Sequence, residues 1–140
     1  MVRSAYGDWQ WYALGNTGYL RAIPTLLLPT QGTLGRQEMP GSISPETVEQ
    51  QMRVGFEQLH RVQVPRQKVQ RLRGQLDQLF EQQRQSQVFN RASDLHFVHH
   101  RTRYSYFSNS NHMLAAWLAQ LGCTIRGPAY ASRWSVEPQP

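Results

Sequence analysis

Tyr104-Ser105-Tyr106-Phe107-Ser108-Asn109-Ser110-Asn111-His112-Met113-Leu114-Ala115-Ala116-Trp117-Leu118-Ala119-Gln120-Leu121-Gly122 sets the architecture of this chain. An aromatic strand enters a cluster of small polar residues, and the cluster opens an amphipathic helix. Met113, Leu114, Trp117, Leu118 and Leu121 recur at three-to-four spacing and give the helix its apolar face. Ser108, Asn109, Ser110 and Asn111 are all residue types whose side chains accept the unpaired N–H groups of a first helical turn. Gly122 reads as the stop just past the helix. Cys123 then starts the next strand, Thr124 to Arg126, as a small buried hydrophobe.

Upstream, the clearest helix runs from Pro65 to about Gln85, with Val69, Leu72, Leu76, Leu79 and Phe80 on one face. Leu95 to Phe107, rich in histidine and aromatic residues, reads as one or two strands. Val2 to Leu14 reads as extended, with a turn at Gly7-Asp8. Leu26 to Ser44, punctuated by Pro29, Gly32, Gly35, Pro40 and Gly41, reads as a loop. Ser44-Pro45-Glu46 is a helix start: a cap, a proline at the first helical position, and an acid suited to the dipole. Val48, Met52 and Phe56 carry that helix toward Leu59, against a competing alternation of Met52, Val54 and Phe56, and a strand through Val62 and Val64 follows. Trp134 is expected to tuck the tail onto the body. These elements predict an α+β fold in which two main helices pack on an antiparallel sheet.

With 140 residues, 39% of them hydrophobic and four of them tryptophan, the chain suffices for a single domain over 1–140 with a filled core. The mean hydropathy of -0.60 comes largely from glutamine and arginine rather than from a block of like charge. The longest apolar stretch, Ala22 to Leu28, is broken by Pro24 and is too short to span a bilayer. Residues 1–20 lack the basic start, apolar core and small-residue site of a signal peptide, so as it stands the chain reads as cytoplasmic. One cysteine excludes an internal disulfide.

Two motifs point to a family. Phe107-Ser108-Asn109-Ser110-Asn111 ahead of a helix resembles the Phe-x-Asn-Cys-Asn segment of the permuted, papain-like (NlpC-type) bacterial proteins grouped as domain of unknown function 2459, with Ser110 where the family has its cysteine. Tyr6-Gly7-Asp8-Trp9-Gln10-Trp11-Tyr12 is similar to that family's Gly-Trp-Gly-Asp-x-x-Phe-Tyr segment, Gly7 and Asp8 matching and Tyr6 replacing tryptophan. Val62-Gln63-Val64-Pro65 and the helix after it resemble its strand leading into a long helix. The resemblance implies a degenerate papain-like core, a nucleophile position at Ser110, and a site lined by Asp8, Asn109, Asn111 and His112. It also implies that the family's histidine segment, upstream of Gly7-Asp8, is lacking. A helix start lowers a thiol's pKa electrostatically, whereas a serine hydroxyl needs a base to take its proton. Ser110 is therefore expected to cap or border the helix, and the chain to be an inactive domain with a binding or vestigial role. An amide hydrolase of serine or cysteine type is the more remote alternative.

Charge raises a different function. The net charge is +6 and the pI about 10.1, which favours polyanions. Arg61, Arg66, Lys68, Arg71, Arg73 and Arg84 are interleaved with glutamines and read as a solvated helix face. Arg101 and Arg103 with Tyr104 and Tyr106 could form a stacking strand of a basic interaction module, although no motif for base readout accompanies them, so specific nucleic-acid binding is not expected. A protein partner or a second copy remains open. His96, His99, His100 and His112 invite a metal, but strand alternation sends His99 to the face opposite His96 and His100, and no cysteine or carboxylate pattern completes a set. No metal and no cofactor is expected.

Overall fold

The structure, a computed structural model, describes residues 1–18, 28–41, 44–52, 59–130 and 134–138. It is an α+β fold built on a four-stranded antiparallel sheet in the order β1 (Val2–Asp8), β2 (Thr30–Glu38), β4 (Leu95–Tyr104), β3 (Val88–Asn90). Three α-helices are described: α1 (Pro45–Gln51), α2 (Arg66–Gln82) and α3 (Ser110–Gln120). A second sheet pairs β5 (Cys123–Arg126) with β6 (Ser135–Pro138).

The two faces of the main sheet bury different clusters. Tyr6, Leu34 and Val98 lie side by side across β1, β2 and β4, and on their face Leu34 and Val98 pack with Phe80, Leu76 and Leu79 of α2 and Trp117 of α3. On the other face, in the row Ala5, Gly35, Phe97, the Phe97 ring packs with Leu95, Ala13, Trp9 and Val88. Among the described residues Phe97, Leu34, Val98 and Thr33 are the largest fully buried side chains, so the core centre is the β2–β4 pair.

That pair departs from the sequence reading, because β2 occupies much of the stretch expected to be loop. Its glycines are packing devices, not turns. A Cβ on Gly35 would come within 2.6 Å of the Phe97 ring, and one on Gly32 within 2.7 Å of Tyr6 Oη and closer still to the Thr102 carbonyl oxygen. The strand is glycine-bearing because neighbouring side chains lie directly on its backbone.

Other differences have equally local causes. The Gly7-Asp8 turn does not form: β1 continues through Asp8, and a wide helical turn (Trp9–Ala13) follows, capped by the Asp8 carboxylate. Ser44 caps α1 as expected, its Oγ accepting the Thr47 N–H at 3.1 Å, but α1 ends at Gln51. The alternation at Val54 and Phe56 lies outside the described residues. Val62 and Val64 are half-buried in alternation, yet among the described residues no strand pairs with them, and a segment without a partner makes no ladder. α2 forms as predicted, although Val69, in a first turn that is exposed all round, is 43% exposed. Leu114 is likewise exposed on α3, where Ala115 takes the innermost position. Gly122, at φ +89°, ends α3, and buried Cys123 begins β5. Trp134, half-buried, leads into β6, a strand the tail's sequence did not announce.

Candidate functional site at the start of α3

The ends of β1 and β4, the beginning of β2 and the first turn of α3 converge on one polar cluster. Register puts them there: Asp8 pairs with Gly32, which pairs with His100, and Thr30 pairs with Tyr104 across a bulge in β4. The Tyr6 phenol is thereby brought to Ser108 and the Tyr104 phenol to Ser110, with the Asp8 carboxylate close enough to act on both phenols.

Asp8 is buried, and its carboxylate is fully engaged. Oδ1 accepts the Trp11 N–H at 2.8 Å, and Oδ2 accepts the Thr30 hydroxyl at 2.5 Å. The Gly-Asp match of the sequence is thus a cap: Asp8 fixes the Trp9–Ala13 turn, while bare Gly7 lets the Tyr12 ring lie against its backbone. Tyr6 Oη donates to the Thr102 carbonyl at 3.1 Å, and its ring meets His100 edge-on at 5.0 Å and Tyr104 at 6.1 Å. Burial pushes the Tyr6 phenol up to about 12, a hydrogen bond with Ser108 opposes this, and the charges of Tyr104 and Asp8 add to it. The Tyr104 phenol is also held above its ordinary value, chiefly by burial, against the Ser110 hydroxyl that faces it.

Of the four cap-type residues, Asn109 is the cap. Its Oδ1 accepts the N–H groups of Asn111 and His112 at 3.0 and 3.1 Å, and its Nδ2 donates to the carbonyls of Tyr106 and Tyr130 at 3.0 and 3.2 Å. Ser110 is the first residue of the helix and borders it. His112 Nδ1 sits 3.4 Å from Asn109 Oδ1, and Asn111 is half-buried in the same turn. Asn109, Ser110, Asn111 and His112 therefore stand together, with Asp8 on the floor among the phenols.

The remaining histidines are directed elsewhere. His100 Nδ1 accepts the Thr102 N–H at 3.0 Å, and burial, with Arg101 adding, holds the imidazole below its usual pKa. His99 lies on the opposite sheet face against Trp9, ring centres 4.2 Å apart, as strand alternation requires. His96 pairs with Gln87 and Phe89 at the far end of β4, beside a cleft of about 420 Å³ lined by Arg36, Phe80, Arg84 and Asp94. Among the described residues no histidine hydrogen-bonds to Ser110, and no three His, Cys, Asp or Glu side chains converge as metal ligands. Arg61, Arg66, Lys68, Arg71, Arg73 and Arg84 are all exposed. Among the described residues no helix is long and apolar enough to cross a membrane.

Sequence reasoning missed the phenol floor. Tyr6 stands two residues before Asp8 on an alternating strand, so a shared face was readable, but its meeting with Tyr104 depends on β2 lying between them. No protein-family model, curated protein or solved structure matches this chain.

Proposed function

We propose that this chain is a non-catalytic domain of papain-like type whose helix-start site binds rather than cleaves. The observation that carries the reading is the neighbour of Ser110: the side chain at the nucleophile position faces the Tyr104 phenol, held neutral well above pH 7. Acyl transfer from a serine needs a group to accept the hydroxyl proton as the new bond forms. A neutral phenol can share a hydrogen bond but has no basicity to offer. The half-buried hydroxyls of Tyr104, Ser108 and Ser110 instead make an uncharged donor and acceptor surface at the positive end of α3, suited to holding a polar ligand. The papain-like part of the reading rests on an antiparallel sheet, a helix packed against it through Trp117, and position 110 in that helix's first turn.

Treatment with a fluorophosphonate probe, read by intact mass, tests the proposal. No adduct should form on the wild-type protein. A single adduct that disappears in Ser110→Ala would establish a working nucleophile and overturn the reading. Because Asn109 rather than Ser110 supplies the cap, Ser110→Ala should cost less than about 1 kcal/mol of stability, so the variant remains a valid control.

A further inference from the structure

Between β4 and α3 the chain makes a tight two-residue turn. Ser105 and Ser108 exchange backbone hydrogen bonds of 3.2 and 3.1 Å, which leaves Tyr106 and Phe107 at the tip. Phe107 is 77% exposed, Tyr106 46% and Tyr130 47%. The rings are organised: Tyr106 and Tyr130 lie 6.1 Å apart and 36° from parallel, Tyr130 and His112 6.4 Å apart and 30° from parallel, and Phe107 meets Tyr106 edge-on at 5.3 Å. The Asn109 amide pins both tyrosines' carbonyls, so the row is held in place before any ligand arrives. Exposed aromatic surface of this kind marks a contact site more often than a core.

Charge identifies the partner. From Leu95 to Val136, 42 consecutive residues include no aspartate or glutamate, but four arginines and four histidines. Arg101 and Arg103 are exposed on the last part of β4, leading directly into the turn, and neither is ion-paired among the described residues. We propose that the Tyr106–Phe107 turn, with Tyr130, His112, Arg101 and Arg103, is a stacking surface for single-stranded nucleic acid, bound without base readout. Flat rings stack on any unpaired base and arginines track the phosphates, a combination that gives affinity with little sequence preference. A duplex keeps its bases stacked internally and offers these rings nothing. A membrane surface fits less well, since the row contains two phenols and an imidazole, and only Phe107 projects freely. The proposal stands independently of whether Ser110 is a nucleophile.

Fluorescence anisotropy with an oligothymidylate of about 12 nucleotides, and with a duplex of equal length, tests it at about 50 and about 200 mM salt. The single strand should bind at least about 10-fold more tightly than the duplex at the higher salt, where charge-only binding has largely been lost. Phe107→Ala removes a ring with no core contact and should weaken single-strand binding about 5-fold or more, whereas Phe89→Ala, an exposed ring at the far end of β4, should leave it unchanged. Arg103→Gln should lower the salt slope by about one. Equal affinity for duplex, or no response to Phe107→Ala, would reduce the surface to its charge and overturn the proposal. So would binding to vesicles containing phosphatidylserine without binding to the single strand.

Discussion

Replacing Gly32 by alanine is the sharpest probe of how this sheet is built. The added methyl would lie within 2.7 Å of Tyr6 Oη and even nearer the Thr102 carbonyl oxygen, and the second contact is backbone, which no rotamer change relieves. β2 and β4 would have to part beside the bulge where β2 begins, and the 3.1 Å bond from Tyr6 Oη to Thr102 O would be lost. Overpacking of this kind costs about 1–3 kcal/mol. The lost hydrogen bond adds about 1 kcal/mol, for a total of about 2–4 kcal/mol. That is a large share of the stability of a domain of this size and corresponds to a fall of about 6–15 °C in Tm. The control is the same change at Gly74, exposed on α2 with no atom within 4 Å of a new Cβ. There, improved helix propensity should raise stability by about 0.5–1 kcal/mol. Urea unfolding of both variants, with unchanged m-values, supplies the comparison. If Gly32→Ala stayed within about 0.5 kcal/mol of wild type, the close contact of β2 with Tyr6 and Thr102 would not exist as described.

Asn109→Ala removes the one oxygen that accepts two N–H groups, together with two donated bonds, and should destabilise by about 1–2 kcal/mol, visible in thermal unfolding, with faster proteolysis at the Tyr106–Phe107 turn. Tyr6 is raised in the folded state, so its stabilisation is complete below the free phenol value near 10 and is lost as pH rises through about 12. Two units correspond to about 2.7 kcal/mol, which solvent screening at the sheet edge reduces to about 1–2 kcal/mol, and Tyr6→Phe should flatten that alkaline limb. His100 runs the other way: its folded pKa is depressed, so its stabilisation is present above the free value near 6.5 and is lost as pH falls below it. His100→Gln should flatten that limb of a pH-stability curve.

The helices were legible because their information is local. Leu72, Leu76, Leu79 and Phe80 repeat along α2, and Trp117, Leu118 and Leu121 along α3, whatever they pack against. β2 was not, because its glycines look like punctuation until Phe97 and Tyr6 are seen lying on them from other strands. The Trp9–Ala13 turn hid for a related reason: its signal is the carboxylate of Asp8 acting as a cap in front of aromatic residues that favour strands. At the site, four successive cap-type residues foretold a cap but not which one. The Ser105–Ser108 turn decides it by delivering Asn109, not Ser110, to the helix start. The phenols around Ser110 come from strands 98 residues apart in sequence, Tyr6 and Tyr104, and their meeting is a property of register alone.

The most direct probe of the Ser110 environment is to put a thiol into it. Ser110→Cys, made together with Cys123→Ser, leaves one cysteine, whose alkylation rate by iodoacetamide can be followed against pH. A helix start without a paired imidazole lowers a thiol only modestly, so a single transition at about pH 7.5–8.5 is expected. A rate already at its plateau below about pH 5 would mean a thiolate–imidazolium pair, the signature of a histidine poised on position 110, and the non-catalytic assignment would then be wrong.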